Sequence, residues 1–524
     1  MSLLLIKIYL TKYYDLFFLL AVILFIAVIF FLKRYGFEKK ISYFTKKIII
    51  FLEKSKGKTL LFLGVFLVAI IVRLYSIQSP IADWHSFRQA DTASVTRVFV
   101  EEGYNPFYPR YYDISTTQSG LFNPNGYRFV EFPIYNTFHF IAYKFFPLFS
   151  LEIWGRLVTI ITSMVSAYFI YLLGKRQISY WGGIIAMIYF LFIPYNIFFS
   201  RVILPDPMAV TFALASLWFF QKYIDLDKNI NLLSSAVLLL FSLLIKPYTL
   251  FYILPMIFLA IQKFGYKGII NNKKLIISSV LCIIPLLLWR IWMRQYPEGI
   301  PFWKWTFNGD GIRYKPAFWY WLISERLGKL ILGIGGIIPF SLGILAFWKK
   351  NKLFHVFLFG SFAYVSIIAT ANVRHDYYQI LIIPAIVFEL TLGTIYLWKT
   401  QHFNLSVSRS VLLISLLLLV LLGVFQVKEY YKINHPEIIA AGKAVQRLTP
   451  KESLVIASYF GDTAFLYQTE RFGWPVVDRP INEMIDNGAE YFASVNLNDP
   501  QTKEFMQKFK VLERTNQYVV IKLN

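Results

Sequence analysis

Charged residues that could act together in chemistry occur in separate hydrophilic turns of an otherwise apolar chain. The first such stretch reads Asp-Trp-His-Ser-Phe-Arg-Gln-Ala-Asp, and it carries Asp83 and Asp91 beside His85, Arg88 and Gln89. A positioned carboxylate can take a proton from an attacking hydroxyl group. A neighbouring guanidinium can bind phosphate with charge-assisted hydrogen bonds. This stretch therefore predicts acid–base chemistry next to an anion-binding group.

Residues 88–102 are predicted to form a helix that lies along the membrane surface. Arg88 and Asp91 are three residues apart and would share one face of it. Asp91 is then either a reacting group or a surface carboxylate paired with Arg88. His85 is more simply a hydrogen-bonding partner than a metal ligand. Later in the same loop, Glu131 lies at the edge of a very apolar stretch, where it either reacts or pairs with an arginine.

Three further turns between apolar runs also carry charge. They contain Arg201 and Asp206, then Lys246 before Pro247, then Arg374 and His375 with Asp376 and Tyr378. A charge at the membrane boundary costs desolvation energy unless it is paired or used. If the turns converge, their carboxylates and cations could bind a lipid phosphate and deprotonate an acceptor. The simpler alternatives are that Arg201 and Arg374 reach the lipid headgroups and that Asp206 caps the following helix.

The composition is that of a multi-span membrane protein. Of 524 residues, 57% are hydrophobic and only 16% are charged. The net charge of +23 resides largely in short loops between apolar runs, so the positive-inside rule explains it better than nucleic-acid binding does. The single cysteine, Cys282, excludes an internal disulfide and a thiolate metal cluster. The N-terminal apolar stretch has no small-residue cleavage site, and we expect it to be a retained span.

Apolar runs predict about twelve membrane helices, each long enough to cross a bilayer. They lie near 15–32, 59–77, 152–174, 178–199, 207–223, 230–246, 248–264, 274–293, 327–348, 353–371, 378–397 and 408–427. The segment 33–58 is strongly basic and is expected in the cytoplasm. Counting spans from there makes every cytoplasmic loop basic. The hydrophilic segments 78–150, 294–326 and 430–524 then lie outside the cell.

The tail differs in composition from the rest of the chain. Strand-like runs occur at 454–458 and 517–523, and helix-like stretches occur near 436–448 and 500–509. The tail therefore predicts a small extracytoplasmic α/β domain. The full prediction is an all-α polytopic protein with that domain appended. Its parts are an extra span and basic segment (1–58), a transmembrane catalytic domain (59–429) and the α/β domain (430–524).

At its charged turns the chain resembles a known family. The stretches DWHSFRQADTA, YNPFYP and VEFPIYN resemble the first external loop of bacterial GT-C glycosyltransferases, relatives of the protein O-mannosyltransferases and of the lipid A aminoarabinose transferases. Asp206 in LPDPM, Lys246 in IKP and the stretch RHDYYQ before Pro384 follow in the family's order. The resemblance covers roughly residues 59–400.

This resemblance implies an inverting transfer on the outer face of the plasma membrane. The donor would be a polyprenyl-phosphate sugar that enters from the bilayer, and the acceptor would be a glycan, a lipid or a protein. Asp91 or Asp83 would be the general base, since many relatives carry Asp-Glu where this chain has Arg88-Gln89. Glu131 would match the acidic residue that precedes a proline-containing stretch of the family. A divalent metal ion is left open.

The remaining roles follow from the same resemblance. Asp206 would match the second acidic motif, and Lys246 would match the lysine that contacts the phosphate. Arg88, Arg374 and His375 would help to hold the donor phosphate. The other residues expected at the site are His85, Gln89, Arg201 and Tyr378.

The main alternative is a transporter or flippase of lipid-linked sugars. A transporter should place its ionisable residues in the middle of its spans, beside broken helices. Here the charges lie mostly at the helix ends and a long hydrophilic loop lies outside, which favours an enzyme. A scaffold that presents the tail domain is a third possibility. A polysaccharide ligase or polymerase is less favoured, because segment 294–326 contains three arginines but no histidine.

Overall fold

The computed structural model describes residues 54–346 and 351–523 of the chain. The span predicted at 15–32 lies outside the described residues. From Ile70 to the end of the described chain the protein forms one compact unit. It is mostly helical and ends in a small sheet, which confirms the predicted fold class in its coarse form.

Six helical segments of the described chain are long and apolar enough to cross a membrane. They are Ser55–Arg73, Leu151–Gln177, Pro247–Asn271, Lys273–Met293, Asp376–Lys399 and Leu405–Tyr431. Shorter apolar helices accompany them at Tyr180–Phe192, Asn229–Ile245, Ile337–Ala346 and Lys352–Ile367. The predicted spans that fall on described residues overlap helical segments, but several of those segments are short or interrupted. The count of twelve is therefore not established.

The first half of the described chain contains ten α-helices. They are α1 (Ser55–Arg73), α2 (Ser86–Glu102), α3 (Ile134–Phe145), α4 (Leu151–Gln177), α5 (Tyr180–Phe192), α6 (Pro194–Phe199), α7 (Asp206–Leu226), α8 (Asn229–Ile245), α9 (Ile253–Asn271) and α10 (Lys273–Met293). A 3₁₀ segment, Pro247–Tyr252, joins α8 to α9.

The following part of the chain, before the sheet, contains seven more. They are α11 (Trp305–Asn308), α12 (Pro316–Tyr320), α13 (Ile337–Ala346), α14 (Lys352–Ile367), α15 (Ala369–Arg374), α16 (Ile383–Lys399) and α17 (Leu405–Val427). A π-helix, Trp321–Ile331, precedes α13, and 3₁₀ segments occupy Pro297–Gly299, Gly309–Tyr314, Asp376–Ile382 and Lys428–Tyr431.

Prolines decide where several predicted spans break. The span predicted at 178–199 is two helices, because Pro194 follows a residue in extended conformation and starts α6. Likewise Lys246 is extended, with φ −145° and ψ 96°, directly before Pro247. The ring of a proline disfavours helical geometry in the preceding residue. The chain therefore leaves the helix at Lys246.

The span predicted at 327–348 is not one helix. The π-helix Trp321–Ile331 ends in a turn in which Gly333 and Ile334 have φ of 50° and 59°. Helix α13 then begins at Ile337. A left-handed pair of residues cannot continue an α-helix, so the segment is divided at this turn.

Helices α13 and α16 pack closely through small residues. A Cβ atom added at Gly393 would lie 1.6 Å from the carbonyl oxygen of Pro339, and one at Gly343 would lie 2.0 Å from that of Glu389. Two helix backbones can approach this closely only where the contacting residue is glycine, because glycine has no Cβ atom.

The C-terminal α/β region, residues 437–523, has a mixed five-stranded sheet. Its elements are α18 (Glu437–Leu448), β1 (Leu454–Ser458), α19 (Thr463–Thr469), β2 (Gly473–Trp474), α20 (Ile481–Asp486), β3 (Ala489–Ser494), α21 (Pro500–Lys508), β4 (Lys510–Arg514) and β5 (Val519–Lys522). The strand order is β2-β1-β3-β5-β4. Strand β1 is parallel to β2 and β3, whereas β5 is antiparallel to β3 and β4.

This region packs directly on the loop between α1 and α4. Ala90 and Ala93 of α2 share one buried apolar cluster with Ala464 and Phe465 of α19. A polar contact joins α19 to the start of α4 as well, since the Tyr467 hydroxyl donates to a Glu152 oxygen at 2.6 Å. The C-terminal α/β region therefore helps to fix the position of α2.

The close α13–α16 contact gives a stability prediction. We expect Gly393→Ala to lower the free energy of unfolding by about 1–3 kcal/mol or more, because the added methyl group must displace backbone. The measurement is thermal unfolding of the detergent-solubilised protein. Gly64→Ala is the control, since a Cβ there meets no atom within 4 Å. Equal melting temperatures for the two variants would contradict the close approach.

Candidate active site

Helix α2 carries the first group of charged residues, and it is buried. The residue before it, His85, has left-handed backbone geometry with φ 54°, so the chain turns sharply into the helix. Arg88, Gln89 and Asp91 are all at least nine-tenths buried. Such burial of charge must be compensated by ion pairs or hydrogen bonds. Asp91 is therefore not a solvent-exposed surface carboxylate.

Asp91 pairs with Arg128, and the alternative pairing with Arg88 is wrong. The Arg128 Nη2 donates to Asp91 Oδ2 at 2.6 Å. Thr463, from the C-terminal α/β region, donates its hydroxyl to Asp91 Oδ1 at 2.6 Å. The Arg128 guanidinium also lies 4.9 Å from the centre of the Tyr111 ring. A carboxylate can accept about four hydrogen bonds, so Asp91 keeps acceptor capacity for a further donor.

Glu131 is held by the arginine of α2. Arg88 Nη2 donates to Glu131 Oε1 at 2.7 Å. The other oxygen, Oε2, is buried and has no hydrogen-bond partner within the described part of the chain. Arg88, Asp91, Arg128 and Glu131 line one narrow cleft together with Pro133. A buried carboxylate oxygen without a hydrogen-bond partner, on a residue that lines a cleft, is a candidate acceptor for a ligand.

A second ion pair lies beside the cleft. The Lys246 ammonium is 2.9 Å from Asp206 Oδ1, and both groups are buried. The two are not aligned as a hydrogen bond, and within the described structure neither Asp206 oxygen accepts a hydrogen bond. The Lys246 nitrogen also lies 4.7 Å from the centre of the Tyr378 ring. Burial lowers the pKa of Lys246, whereas Asp206 and Tyr378 raise it, and together the neighbouring groups bring it above its ordinary value.

The separate turns of the sequence meet at this place. The Phe132 amide, next to Glu131, donates to the Leu244 carbonyl at 3.0 Å, near Lys246. Burial lowers the pKa of Arg88, whereas Glu131 and also Asp206 raise it, so that it lies above its ordinary value. The cleft and the ion pair beside it thus combine three carboxylates with three cations. We call Arg88, Asp91, Arg128, Glu131, Asp206 and Lys246 the charged cluster.

Asp83 lies outside the charged cluster. It accepts a hydrogen bond from Gln89 at 2.6 Å and lies 3.9 Å from the buried Arg201. Burial raises the pKa of Asp83, while Arg156 and Arg201 oppose that rise. Both arginines keep buried N–H groups without partners in the described structure. Asp83 therefore neutralises buried arginines, and Arg201 does not extend to the headgroups.

His85 contacts Asp376, a carboxylate of the third charged turn for which the sequence predicted no separate role. Its Nε2 lies 2.7 Å from Asp376 Oδ1, and the Tyr430 hydroxyl donates to Asp376 Oδ2 at 2.5 Å. Trp84 donates to the same oxygen at 3.1 Å. Asp376 therefore ties the start of α2 to the chain just after α17.

Arg374 and His375 lie apart from the charged cluster. Arg374 is exposed and pairs with exposed Asp310 at 3.4 Å. His375 packs against His85, with ring centres 5.6 Å apart. Burial lowers the pKa of His375 to about 4, so this ring is neutral at physiological pH. Tyr378 does reach the cluster through Lys246.

Two members of the site were missed by sequence reasoning. Arg128 lies three residues before Glu131 in the same loop, and that spacing was a usable signal. Thr463 lies in a remote part of the chain, and nothing in its neighbourhood marks it. Asp206 was expected at the site or as a helix cap. It begins α7, but within the described structure its carboxylate oxygens accept no hydrogen bond, so it does not cap the helix.

The donor set of the cluster does not fit a metal ion. Each of its carboxylates already faces a cation: Asp91 faces Arg128, Glu131 faces Arg88, and Asp206 faces Lys246. No group of three or more His, Cys, Asp or Glu side chains suited to a metal occurs within residues 54–346 and 351–523. The positive charge next to the cleft comes from side chains.

Comparisons with known proteins agree with this fold. Residues 137–292 match the family described as dolichyl-phosphate-mannose-protein mannosyltransferase. No curated protein matches the sequence. ArnT from Cupriavidus metallidurans is similar in structure in two crystal structures. The match to its apo state has a TM-score of 0.60 at 14% sequence identity, and it covers 89% of this chain and 98% of the ArnT chain. Its undecaprenyl-phosphate complex has a TM-score of 0.57 at 12% identity, covering 90% and 98%.

The Archaeoglobus fulgidus oligosaccharyltransferase, solved with zinc and sulfate, is also similar. It has a TM-score of 0.51 at 12% identity and covers 83% of this chain and 68% of its own. The resemblance predicted from the sequence is thereby confirmed. The family match covers residues 137–292 only, and at 12–14% identity the structural matches show that the chain shares the fold of ArnT and of the oligosaccharyltransferase.

The surroundings of Asp83 give a prediction that separates support from chemistry. We expect Asp83→Asn to lower the free energy of unfolding by about 3–5 kcal/mol, because two buried arginines lose their counter-charge. The measurement is thermal unfolding in detergent, with exposed Glu452→Gln as control. A variant with wild-type stability but no activity would instead assign Asp83 to the chemistry.

Asp113 gives a prediction of pH dependence. Burial raises its pKa to about 6, with nearby Asp91 contributing in the same direction. The folded protein then binds more protons than the unfolded chain between pH of about 4 and 6, so this group's contribution to stability falls as pH rises through that window. We expect Asp113→Asn to raise the melting temperature above pH 6 and to lose that advantage near pH 4. A constant difference across this range would contradict the assignment.

Proposed function

We propose that this protein is an inverting glycosyltransferase that moves a sugar from a polyprenyl-phosphate donor to an acceptor hydroxyl group. The charged cluster is the observation that supports the proposal. It joins carboxylates that can accept a proton to cations that can stabilise a departing phosphate, at the apolar edge of the helices. The undecaprenyl phosphate bound to ArnT supports the same class of donor.

Asp91 is our choice for the general base. The Arg128 guanidinium and the Thr463 hydroxyl hold its carboxylate in place with two hydrogen bonds. The acceptor O–H gives its proton to Asp91 while its oxygen bonds to the anomeric carbon of the donor. The bond between that carbon and the phosphate oxygen breaks, and the polyprenyl phosphate leaves with the electron pair. Glu131, with one unpaired oxygen, accepts a hydrogen bond from another hydroxyl group of the bound sugars.

Lys246 and Arg88 would bind the donor phosphate. Lys246 lies close to Asp206 without an aligned hydrogen bond, so its N–H groups are free to turn towards a phosphate. In a site with little water, such charges stabilise a leaving phosphate more strongly than they would in bulk solvent. Tyr378, which packs on Lys246, would limit the movement of the ammonium group.

An apolar groove beside the cluster suits the polyprenyl chain. Leu322, Leu327 and Phe340 line it with other apolar side chains, and its volume is about 80 Å³. Arg326, Ser361 and Gln379 also line it. Ile323 and Phe362 at its walls are about half exposed. The 3₁₀ segment Asp376–Ile382 separates the groove from the cluster, with Tyr378 beside Lys246. A lipid tail in this groove would bring its phosphate towards the cluster.

The predicted topology places this chemistry on the outer face of the plasma membrane. The basic loops expected in the cytoplasm lie at the opposite ends of the predicted spans from the charged turns. In the proposed organisation, residues 59–429 form the catalytic domain and 430–524 an extracytoplasmic domain. The acceptor would then be a glycan, a lipid or a protein of the cell envelope.

The proposal predicts how the cluster responds to substitution. We expect Asp91→Asn to reduce kcat by about 10²- to 10⁴-fold, the usual contribution of a general base. Lys246→Met should raise the KM for the donor as well as lower kcat, because it removes phosphate binding. The measurement is transfer from defined polyprenyl-phosphate sugars by purified protein in detergent, with exposed Glu452→Gln as the unaffected control.

Two results would contradict the proposal. Full turnover by Asp91→Asn together with loss of activity in Glu131→Gln would move the base to Glu131. Failure of the wild-type protein to release sugar from every such donor, together with a response in a membrane-flux assay, would favour a transporter of lipid-linked sugars.

A further inference from the structure

The C-terminal α/β region reaches into the charged cluster. Thr463, the first residue of α19, is buried and donates its hydroxyl to the Asp91 carboxylate at 2.6 Å. It follows β1 by a turn of four residues, 459–462. The carboxyl edge of the sheet, at which the parallel strand β1 ends, therefore faces the charged cluster. In open α/β sheets this carboxyl edge is where ligands bind.

The turn after β1 is held in place and exposes an aromatic ring. The amides of Tyr459 and Gly461 both donate to the Pro475 carbonyl, at 2.9 and 3.2 Å. Between them, Phe460 has left-handed backbone geometry with φ 54°, and its side chain is 86% exposed. A bulky residue in that geometry is strained, and such strain is found where function requires it. The ring offers a fixed apolar face one short turn away from Thr463.

A polar groove continues along the same edge. Strands β1 and β3 are parallel neighbours, with Ser458 opposite Ser494, so the segments that follow them lie side by side. The turn from β4 to β5 meets this edge as well, since Ser494 pairs with Val519. The groove has a volume of about 700 Å³, within the roughly 300–1,000 Å³ usual for ligand sites. Its polar lining is Asn496, Asn498, Lys503, Gln507, Arg514 and Asn516.

The chemistry of this edge suits a glycan. Side-chain amides both donate and accept hydrogen bonds, as sugar hydroxyl groups do. Among the described residues no carboxylate lines the groove, and its two cations would favour acidic substituents. An exposed aromatic face next to polar groups suits the apolar face of a sugar ring, whereas a lipid chain would need a continuous apolar surface.

We propose that the carboxyl edge of the C-terminal sheet is the acceptor subsite, and that it binds a glycan chain whose end lies on Phe460 next to Asp91. Thr463 is a positioning residue, which orients the base by its hydrogen bond and links acceptor binding to the cluster. The inference rests on the proposed function, since it names the class of acceptor for the same transfer.

The test separates binding of the acceptor from turnover. We expect Phe460→Ala to raise the KM for the acceptor about tenfold, because one aromatic contact with the acceptor is lost. The donor KM and the rate at which sugar is released to water should stay unchanged. Asn496→Ala combined with Asn516→Ala should also raise the acceptor KM. Val511→Ala, a partly exposed position on β4 of the same sheet, is the matched control.

Thr463 requires its own variants. Thr463→Val keeps the shape but removes the hydroxyl, and we expect it to lower kcat about 10- to 100-fold with little change in either KM. Thr463→Ser should restore most of the rate, because it restores the donor. A merely structural role for Thr463 would lower stability and both kinetic constants together, and serine would then bring no specific recovery of kcat.

The probes are three fractions of the host cell envelope: delipidated polysaccharide, glycolipid and protein. Transfer to either sugar-bearing fraction, with the KM changes above, supports the inference and tells a free glycan from a lipid-linked one. Transfer only to protein, or to no fraction while water still cleaves the donor, overturns it. An unchanged acceptor KM in Phe460→Ala overturns it as well. If the wild-type protein cleaves no donor at all, the proposed function itself is wrong.

Discussion

The structure depends on compensating charge that is buried at the edge of an apolar helical assembly. An isolated ion in such a place would cost several kcal/mol of desolvation energy. Asp91, Glu131 and Asp206 each face a cation from a different part of the sequence. Two of these pairs join α2 to the later part of the same loop, and the third joins the turn of Asp206 to the turn of Lys246, so each pair fixes two segments of the chain. A ligand phosphate would enter a place where cations are already held and water is scarce.

Features of the backbone bring the partners of these ion pairs to the same level along the helices. Pro247 ends helical geometry at Lys246 and so directs that side chain away from the helix. The left-handed turn at His85 starts α2 with Arg88 and Asp91 on the side that faces the loop. The C-terminal α/β region then closes over α2, and Thr463 completes the surroundings of Asp91. Support for the base thus comes from the last hundred residues as well as from the first loop.

Much of this arrangement could be predicted from residue types and their order. Hydropathy located the helices, alternating strands and helices in the tail gave the α/β region, and charged turns gave Glu131, Asp206 and Lys246. The division of the span at 327–348 could not be predicted, because it results from left-handed geometry at Ile334, a residue that favours regular structure. The partners of Asp91 were also beyond reach. Tertiary packing brings Arg128 and Thr463 to Asp91. The residues next to Thr463 in the sequence do not indicate that it contacts Asp91. Asp83 is the opposite case, because its motif predicted a catalytic carboxylate but its side chain neutralises buried arginines.

The central claim is that the charged cluster is the place where a lipid phosphate and a general base meet. A cryo-EM structure of the protein in lipid nanodiscs with polyprenyl phosphate would test it most directly. The account predicts phosphate density within about 3 Å of Lys246 and Arg88, the usual length of a charge-assisted hydrogen bond, with Asp91 beside it and the lipid tail in the apolar groove. Phosphate bound on the exposed side near Arg374, with the Asp91–Arg128 pair remote from it, would contradict the account.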